Sequence, residues 1–181
     1  KVVALAPKTI DETYDAIILV GNVTGAREAA DSLIASMQAR ISVVATLVIN
    51  LTDLERPDVF YIVWHNPLMT AGGNTLPGQL IELAGGNNIF SELSDYATVS
   101  LESLVYREPD VIIVGTGMGS GADAPLQWAQ NESRLQGVPA CKDGKIFSIN
   151  TDLTGRFGPR IVDALEEIFR LIHPELAEEL K

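Results

Sequence analysis

From Ala26 to Arg56 the chain carries neither glycine nor proline. Along this stretch Leu33, Met37, Ile41, Val44, Val48 and Leu51 recur at steps of four and three, which draws one apolar stripe on a helix. About 30 helical residues at 1.5 Å each make a rod of roughly 45 Å, long for a chain of 181 residues. Such a rod is either a core helix with an extended end or a backbone joining two lobes. Thr24 is placed to cap it. Ahead of it, Thr9 and Glu12 have capping-box spacing and open a shorter helix that Gly21 should end. The apolar run Lys1–Ala6, closed by Pro7, reads as a short strand.

Past Pro57 the pattern becomes an alternation of strands and helices. Val59–Trp64 is an apolar strand, and Thr75–Ala84 is a helix stopped by Gly85-Gly86. Ser100 caps a short helix through Arg107. Pro109-Asp110 then introduces Val111–Val114, a β-branched run suited to a parallel strand buried on both faces. Ile146–Ile149 is a third strand. Gly158-Pro159 opens a last helix with the stripe Ile161, Leu165, Ile168 and Ile172. This order predicts an α/β fold: a three-layer lobe with a mainly parallel sheet flanked by helices, plus the long backbone helix.

Charge removes whole classes of function. Acidic residues outnumber basic ones 24 to 13 for a net charge of −11, without the basic face that phosphate contacts need, so nucleic acid is not a partner. A lone cysteine, Cys141, allows neither an intrachain disulfide nor a multi-cysteine zinc site. The dense apolar runs are too short to span a bilayer.

In open parallel sheets, ligands sit outside the carboxyl ends of the strands. Three segments qualify here: His65–Gly73, Gly115–Asp123 and Asn150–Phe157. Gly117, Gly119 and Ala122 satisfy GxGxxA, but Pro125 follows closely and no acidic residue closes a next strand, so a flexible loop is favoured over a dinucleotide cradle. His65 and His173 are the only histidines, and neither has the company that a metal site requires. With no nucleophile elbow and no paired catalytic carboxylates, the chain reads as no enzyme, needing no cofactor.

Several segments carry a likeness when taken in order. Asn66-Pro-Leu-Met-Thr-Ala-Gly-Gly-Asn-Thr75 is followed by Gln79-Leu-Ile-Glu-Leu-Ala-Gly-Gly-Asn-Asn-Ile-Phe90, Val99–Leu104, Glu108–Val114 and Arg156-Phe-Gly-Pro-Arg-Ile-Val-Asp163. Together they resemble the helical-backbone (class III) substrate-binding proteins of ABC importers, the family for ferric siderophores, haem and cobalamin. The resemblance implies residues 1–56 as the end of an amino-terminal lobe and the interlobe helix, and 57–181 as the carboxyl-terminal ligand-binding lobe. It implies capture of a metal chelate and delivery to a membrane permease. The location would be periplasmic or extracellular, with the whole protein anchored to the membrane.

A ferric siderophore is the first expectation for the cargo, with cobalamin or haem as alternatives. From a different class, a small dinucleotide-dependent oxidoreductase is the rival. The resemblance assigns ligand contacts to Asn66, Pro67, Thr70, Ala71, Tyr96, Gly117, Met118, Gly119 and Arg156, and permease docking to Glu102. Tyr96 also suits a tyrosine packed on the lobe surface, Arg156 a rim salt bridge with Asp152, and Glu102 compensation of a helix N-terminus.

Overall fold

A computed structural model describes residues 2–117, 121 and 123–180. Helix α1 (Ile10–Thr24) opens as expected: the Thr9 hydroxyl accepts from the Glu12 N–H at 3.1 Å, while the Glu12 carboxylate reaches the Lys8 N–H at 2.7 Å. It runs past Gly21 and stops at Gly25, whose φ of 74° closes the last turn in the left-handed region that suits glycine. Gly21 has a packing role instead, since a Cβ there would come within 2.6 Å of the Ala30 Cβ. The expected strand at the start is not formed: among the described residues, Val2–Lys8 pairs with no strand, and Leu5 and Pro7 lie against the helices.

Helix α2 (Arg27–Val48) is shorter than its glycine-free stretch at both ends. Thr24 does not cap it; its hydroxyl bonds back to the Val20 carbonyl at 2.8 Å within α1. At the far end Thr52 and Glu55 form a capping box of their own around a 3₁₀ turn, which starts a new element where the stripe suggested continuation. The buried positions are Ala30, Ile34, Met37, Val44 and Val48, so the stripe begins at Ala30 and passes through Ile34, leaving Leu33 exposed. Among the described helices, α2 is the one long and apolar enough by length and composition to cross a bilayer. In the fold it lies along helix α8 (Ile161–Ile172).

The sheet comprises β1 (Asp58–His65), β2 (Leu68–Ala71), β3 (Asn87–Asn88), β4 (Tyr96–Thr98), β5 (Val111–Thr116) and β6 (Ile146–Asn150). Its order is β4-β2-β1-β5-β6, with β3 also paired to β1. β1, β5 and β6 are mutually parallel, and β2 and β4 add an antiparallel edge. Alternate residues feed two cores, as the two-residue period of a strand requires. Val59, Tyr61, Val111, Ile113 and Ile149 join α2, α8 and helix α3 (Leu76–Leu83) on one face. Phe60, Ile62, Ile112 and Val114 join helices α4 (Leu101–Arg107), α5 (Ala124–Asn131) and α6 (Pro139–Lys142) on the other. Burying each such side chain contributes roughly 1.5–3 kcal/mol. The three-layer α/β architecture is therefore as expected.

Arg40 ties α2 to α8, with Nε 2.7 Å from Glu166 Oε1 and an Nη 2.7 Å from Asp163 Oδ1. The hydrogen bond from Arg40 is the chief reason that the Glu166 carboxyl lies below the usual carboxylate range, against a burial effect that pushes it up. A depressed carboxyl contributes stability above its unfolded pKa and loses it as pH falls through the folded value. Because Arg40 remains partly exposed, solvent screening discounts the pair. Arg40→Met should cost about 1 kcal/mol at neutral pH, measured by urea unfolding. The gap between variant and parent should close as the medium is acidified below the carboxylate range.

Candidate ligand-binding rim

The parallel ladders bring three strand ends together. Ile62 is registered with Val114, and Thr116 with Asn150, so His65, Gly117 and the residues after Asn150 emerge on one edge of the sheet. The Thr151 hydroxyl donates to the Thr116 carbonyl at 2.9 Å, fastening helix α7 (Thr151–Thr154) to the end of β5. Below it the Tyr61 hydroxyl pairs with Thr154 Oγ1 at 2.8 Å, both residues being buried. Burial is the main cause that pushes the Tyr61 phenol well above its ordinary range, with nearby Tyr96 adding to the effect. Gly115 permits this arrangement, since a Cβ there would meet the Tyr61 hydroxyl and the Thr151 methyl.

The segment after β1 is a hairpin, where the sequence suggested a loop. Asn66 and Pro67 are exposed at its tip. Thr70 and Ala71 fall in β2 and are fully buried, Thr70 donating its hydroxyl to the Tyr61 carbonyl at 2.9 Å. These two therefore support the rim from below and do not present themselves to a ligand. Tyr96 opens β4 opposite Ala71 and is 47% exposed; burial of the rest of the ring raises its phenol pKa. Arg156 stands exposed, with Asp152 at 4.0 Å. Gly117, at φ 97°, packs against the Asn150 side chain, whereas Met118 and Gly119 lie outside the described residues.

Tyr96 is held by a clamp. Gly72 N–H donates to the Asp95 carbonyl at 2.8 Å, and Gly73 N–H to that of Leu93 at 3.0 Å. The Asn74 side chain accepts from the Asp95 N–H at 2.6 Å and donates to its carboxylate at 3.3 Å. Asp95 itself is left-handed, with φ 57°, a conformation that short polar side chains tolerate. A sizeable cavity lies elsewhere. It is an apolar groove of about 460 Å³ between α1, α2 and the Phe157–Pro159 loop, lined by no charged residue among those described.

Residues 1–153 match the periplasmic binding protein family. The chain belongs to that family. The cobalamin-binding protein of Halobacterium salinarum is 30% identical over 171 residues, covering 93% of this chain and 46% of that protein. The chain thus spans about half the length of this curated relative. A possible iron-binding periplasmic solute-binding protein from Staphylococcus epidermidis has a solved structure that superposes with a TM-score of 0.81 at 27% identity, over 96% of this chain and 66% of that one. The periplasmic vitamin B12 binding protein BtuF of Vibrio cholerae superposes at 0.76 with 22% identity, over 96% and 64%. These relatives are solute-binding proteins, not enzymes. The mainly parallel sheet flanked by helices is the lobe architecture of class III periplasmic binding proteins.

As a member of this family, the chain shows which surface residues its sequence hid. Trp64 is 38% exposed at the end of β1, and its Nε1–H donates to the Asn66 carbonyl at 2.9 Å. His65 turns the other way, with ring centroids 5.0 Å from Trp64 and 6.1 Å from Trp128. No group of three or more His, Cys, Asp or Glu among the described residues could hold a metal ion. Glu102 lies on α4 with its side chain 79% exposed and Arg134 3.6 Å away.

The clamp makes a direct prediction. A Cβ at Gly72 would strike the Leu93 carbonyl, whereas one at Gly137 meets nothing within 4 Å. Gly72→Ala should cost about 1–3 kcal/mol, while Gly137→Ala should stay within about 0.5 kcal/mol of the parent. Urea unfolding of both variants checks the contrast.

Proposed function

We propose that this chain is part of the solute-binding component of an ABC importer that captures a corrinoid of the cobalamin type and delivers it to a membrane permease. The observation that carries the proposal is the 30% identity to a cobalamin-binding protein along 171 residues, on a fold that opens three strand ends toward one rim. Residues 1–56 would belong to the connector and the end of a first lobe, and 57–181 to the carboxyl-terminal lobe. The whole protein would work outside the cytoplasmic membrane, anchored to it. The ferric siderophore favoured on sequence grounds has less support than its runner-up, because a relative 30% identical along nearly the whole chain is a cobalamin-binding protein.

A binding protein must hold its cargo and then be recognised by the permease, and the two tasks fall on different surfaces. Arg156 and Tyr96 stand at the rim. Glu102, at the start of α4, is exposed and only loosely engaged by Arg134, so its carboxylate is free to meet a cation of a permease. The dinucleotide alternative rests on Gly117–Ala122, most of which lies outside the described residues.

Calorimetric titration of the polypeptide that carries this chain with cyanocobalamin, haemin, a ferric hydroxamate and NADH tests the assignment. Saturable binding of cyanocobalamin and none of NADH is expected; binding of NADH alone would replace the proposal with the oxidoreductase. Glu102→Ala should leave cobalamin affinity within twofold of the parent while lowering uptake by the assembled importer at least fivefold. Unchanged uptake would remove Glu102 from the docking surface.

A further inference from the structure

Asparagine followed two residues on by a hydroxyl occurs three times, in Asn22-Val23-Thr24, Asn50-Leu51-Thr52 and Asn131-Glu132-Ser133. No proline stands at the middle position or just after the hydroxyl. In a protein outside the cytoplasmic membrane this triplet is the acceptor pattern for an N-linked glycan. The fold treats the three differently. Asn22 lies in the last turn of α1, its side-chain oxygen accepts from Arg27 at 3.2 Å, and the Thr24 hydroxyl is bound to the Val20 carbonyl. Asn131 ends α5, and its amide donates to the Gln127 carbonyl at 2.7 Å. Asn50 has left its helix: α2 stops at Val48, and Thr52 is already extended at φ −72° and ψ 164°. Asn50 is exposed, and no hydrogen bond holds its amide among the described residues. The Thr52 hydroxyl donates to the Glu55 carboxylate at 2.7 Å, an exposed partner that a transferase can replace.

We propose that Asn50 carries an N-linked glycan; this rests on the proposed location outside the cytoplasmic membrane. The Asn50 Nδ2 attacks the anomeric carbon of a glycan linked through phosphate to a membrane lipid. The carbon–oxygen bond to the phosphate breaks as the nitrogen–carbon bond forms. One amide proton passes to a base of the transferase, and the lipid phosphate leaves as the anion. Two observations beyond the triplet support this site. Ile49 and Leu54 flank it at 73% and 99% exposed, and a glycan, which is bulky and solubilising, would cover apolar side chains that the fold leaves in water. The site also lies where bulk obstructs nothing. A Cβ at Gly85 would strike Val48, and the Asn87 N–H donates to the Pro57 carbonyl at 2.9 Å, so the end of α2 sits at the edge where β1 begins. The eight residues of β1 put roughly 26 Å of strand between that edge and the rim.

The test isolates the polypeptide carrying this chain from the cells that produce it and maps carbohydrate by tandem mass spectrometry of its tryptic peptides. Each triplet falls on its own peptide, because Arg27, Arg40 and Arg107 stand between them. Carbohydrate mass is expected on the peptide that holds Asn50. Asn50→Gln and Thr52→Ala should both abolish it, and Thr52→Ser should keep it. Asn22→Gln and Asn131→Gln should leave it unchanged. Circular dichroism establishes that each variant is folded, since Thr52→Ala also removes a hydroxyl from a capping box. Protease added to spheroplasts reports the location independently. If the protein is digested there and its Asn50 peptide is bare, the glycan is wrong and the location stands. If the protein is shielded in the cytoplasm and the peptide is bare, both fall. Carbohydrate confined to Asn22 or Asn131, or retained on Asn50 in Thr52→Ala, overturns the assignment of this triplet.

Discussion

The parallel ladder of β1, β5 and β6 constrains the rest of the molecule because all three strands bury side chains. Val111 through Val114 are at most 1% exposed, on both faces of the sheet. A strand covered on each side has no room for a charged or catalytic side chain in its interior, since an unpaired polar group there costs free energy. Chemistry is displaced to the strand ends, and the ladder registers decide which ends meet. With Ile62 level with Val114 and Thr116 level with Asn150, the ends of all three strands meet on one edge. The short caps at that edge, Thr151 to Thr116 and Tyr61 to Thr154, then satisfy the polar groups that the strands leave behind.

That hierarchy explains what was legible in the sequence. Val111–Val114 was readable as a strand because continuous burial needs a continuous apolar run, which no turn imitates; Ile146–Ile149, where only Ile149 is fully buried, was readable from the turn Asp143-Gly144 ahead of it. Ser100 was readable as a cap because its hydroxyl satisfies an N–H group three residues on, a purely local interaction; Thr75, read as the first helical residue, caps α3 in the same way. The end of α2 was misjudged for a related reason. Thr52 and Glu55 carry the same local signal as Thr9 and Glu12, but an unbroken stripe through Leu51 outweighed it.

The antiparallel edge was much less legible. β2 and β4 have only four and three residues, set among prolines, glycines and serines that announce loops. Thr70 and Ala71 looked like loop residues available to a ligand, and pairing buried them. Trp64 was hidden in the opposite sense. Its period placed it in the core, and the extra residue on β1, Val63, that rotates it outward follows from where β2 pairs with β1, a fact with no local signature. Met69 shares that fate, because its face is known only once its partner is known.

Rigidity at the rim is distributed unevenly. Trp64 is fixed through its indole N–H, and Tyr96 through the Asn74–Asp95 clamp just before it. A ligand settling on these groups orders little that is not already ordered, which removes one of the main costs of association. The charged groups are set differently: Arg156 has its nearest carboxylate at 4.0 Å, and Glu102 its nearest guanidinium at 3.6 Å. Pairs this exposed contribute about 0–1 kcal/mol, so either partner can be exchanged at little loss. On the proposed function, the fixed apolar groups would set the orientation of a cargo, while the loosely paired charges would respond to what arrives from outside.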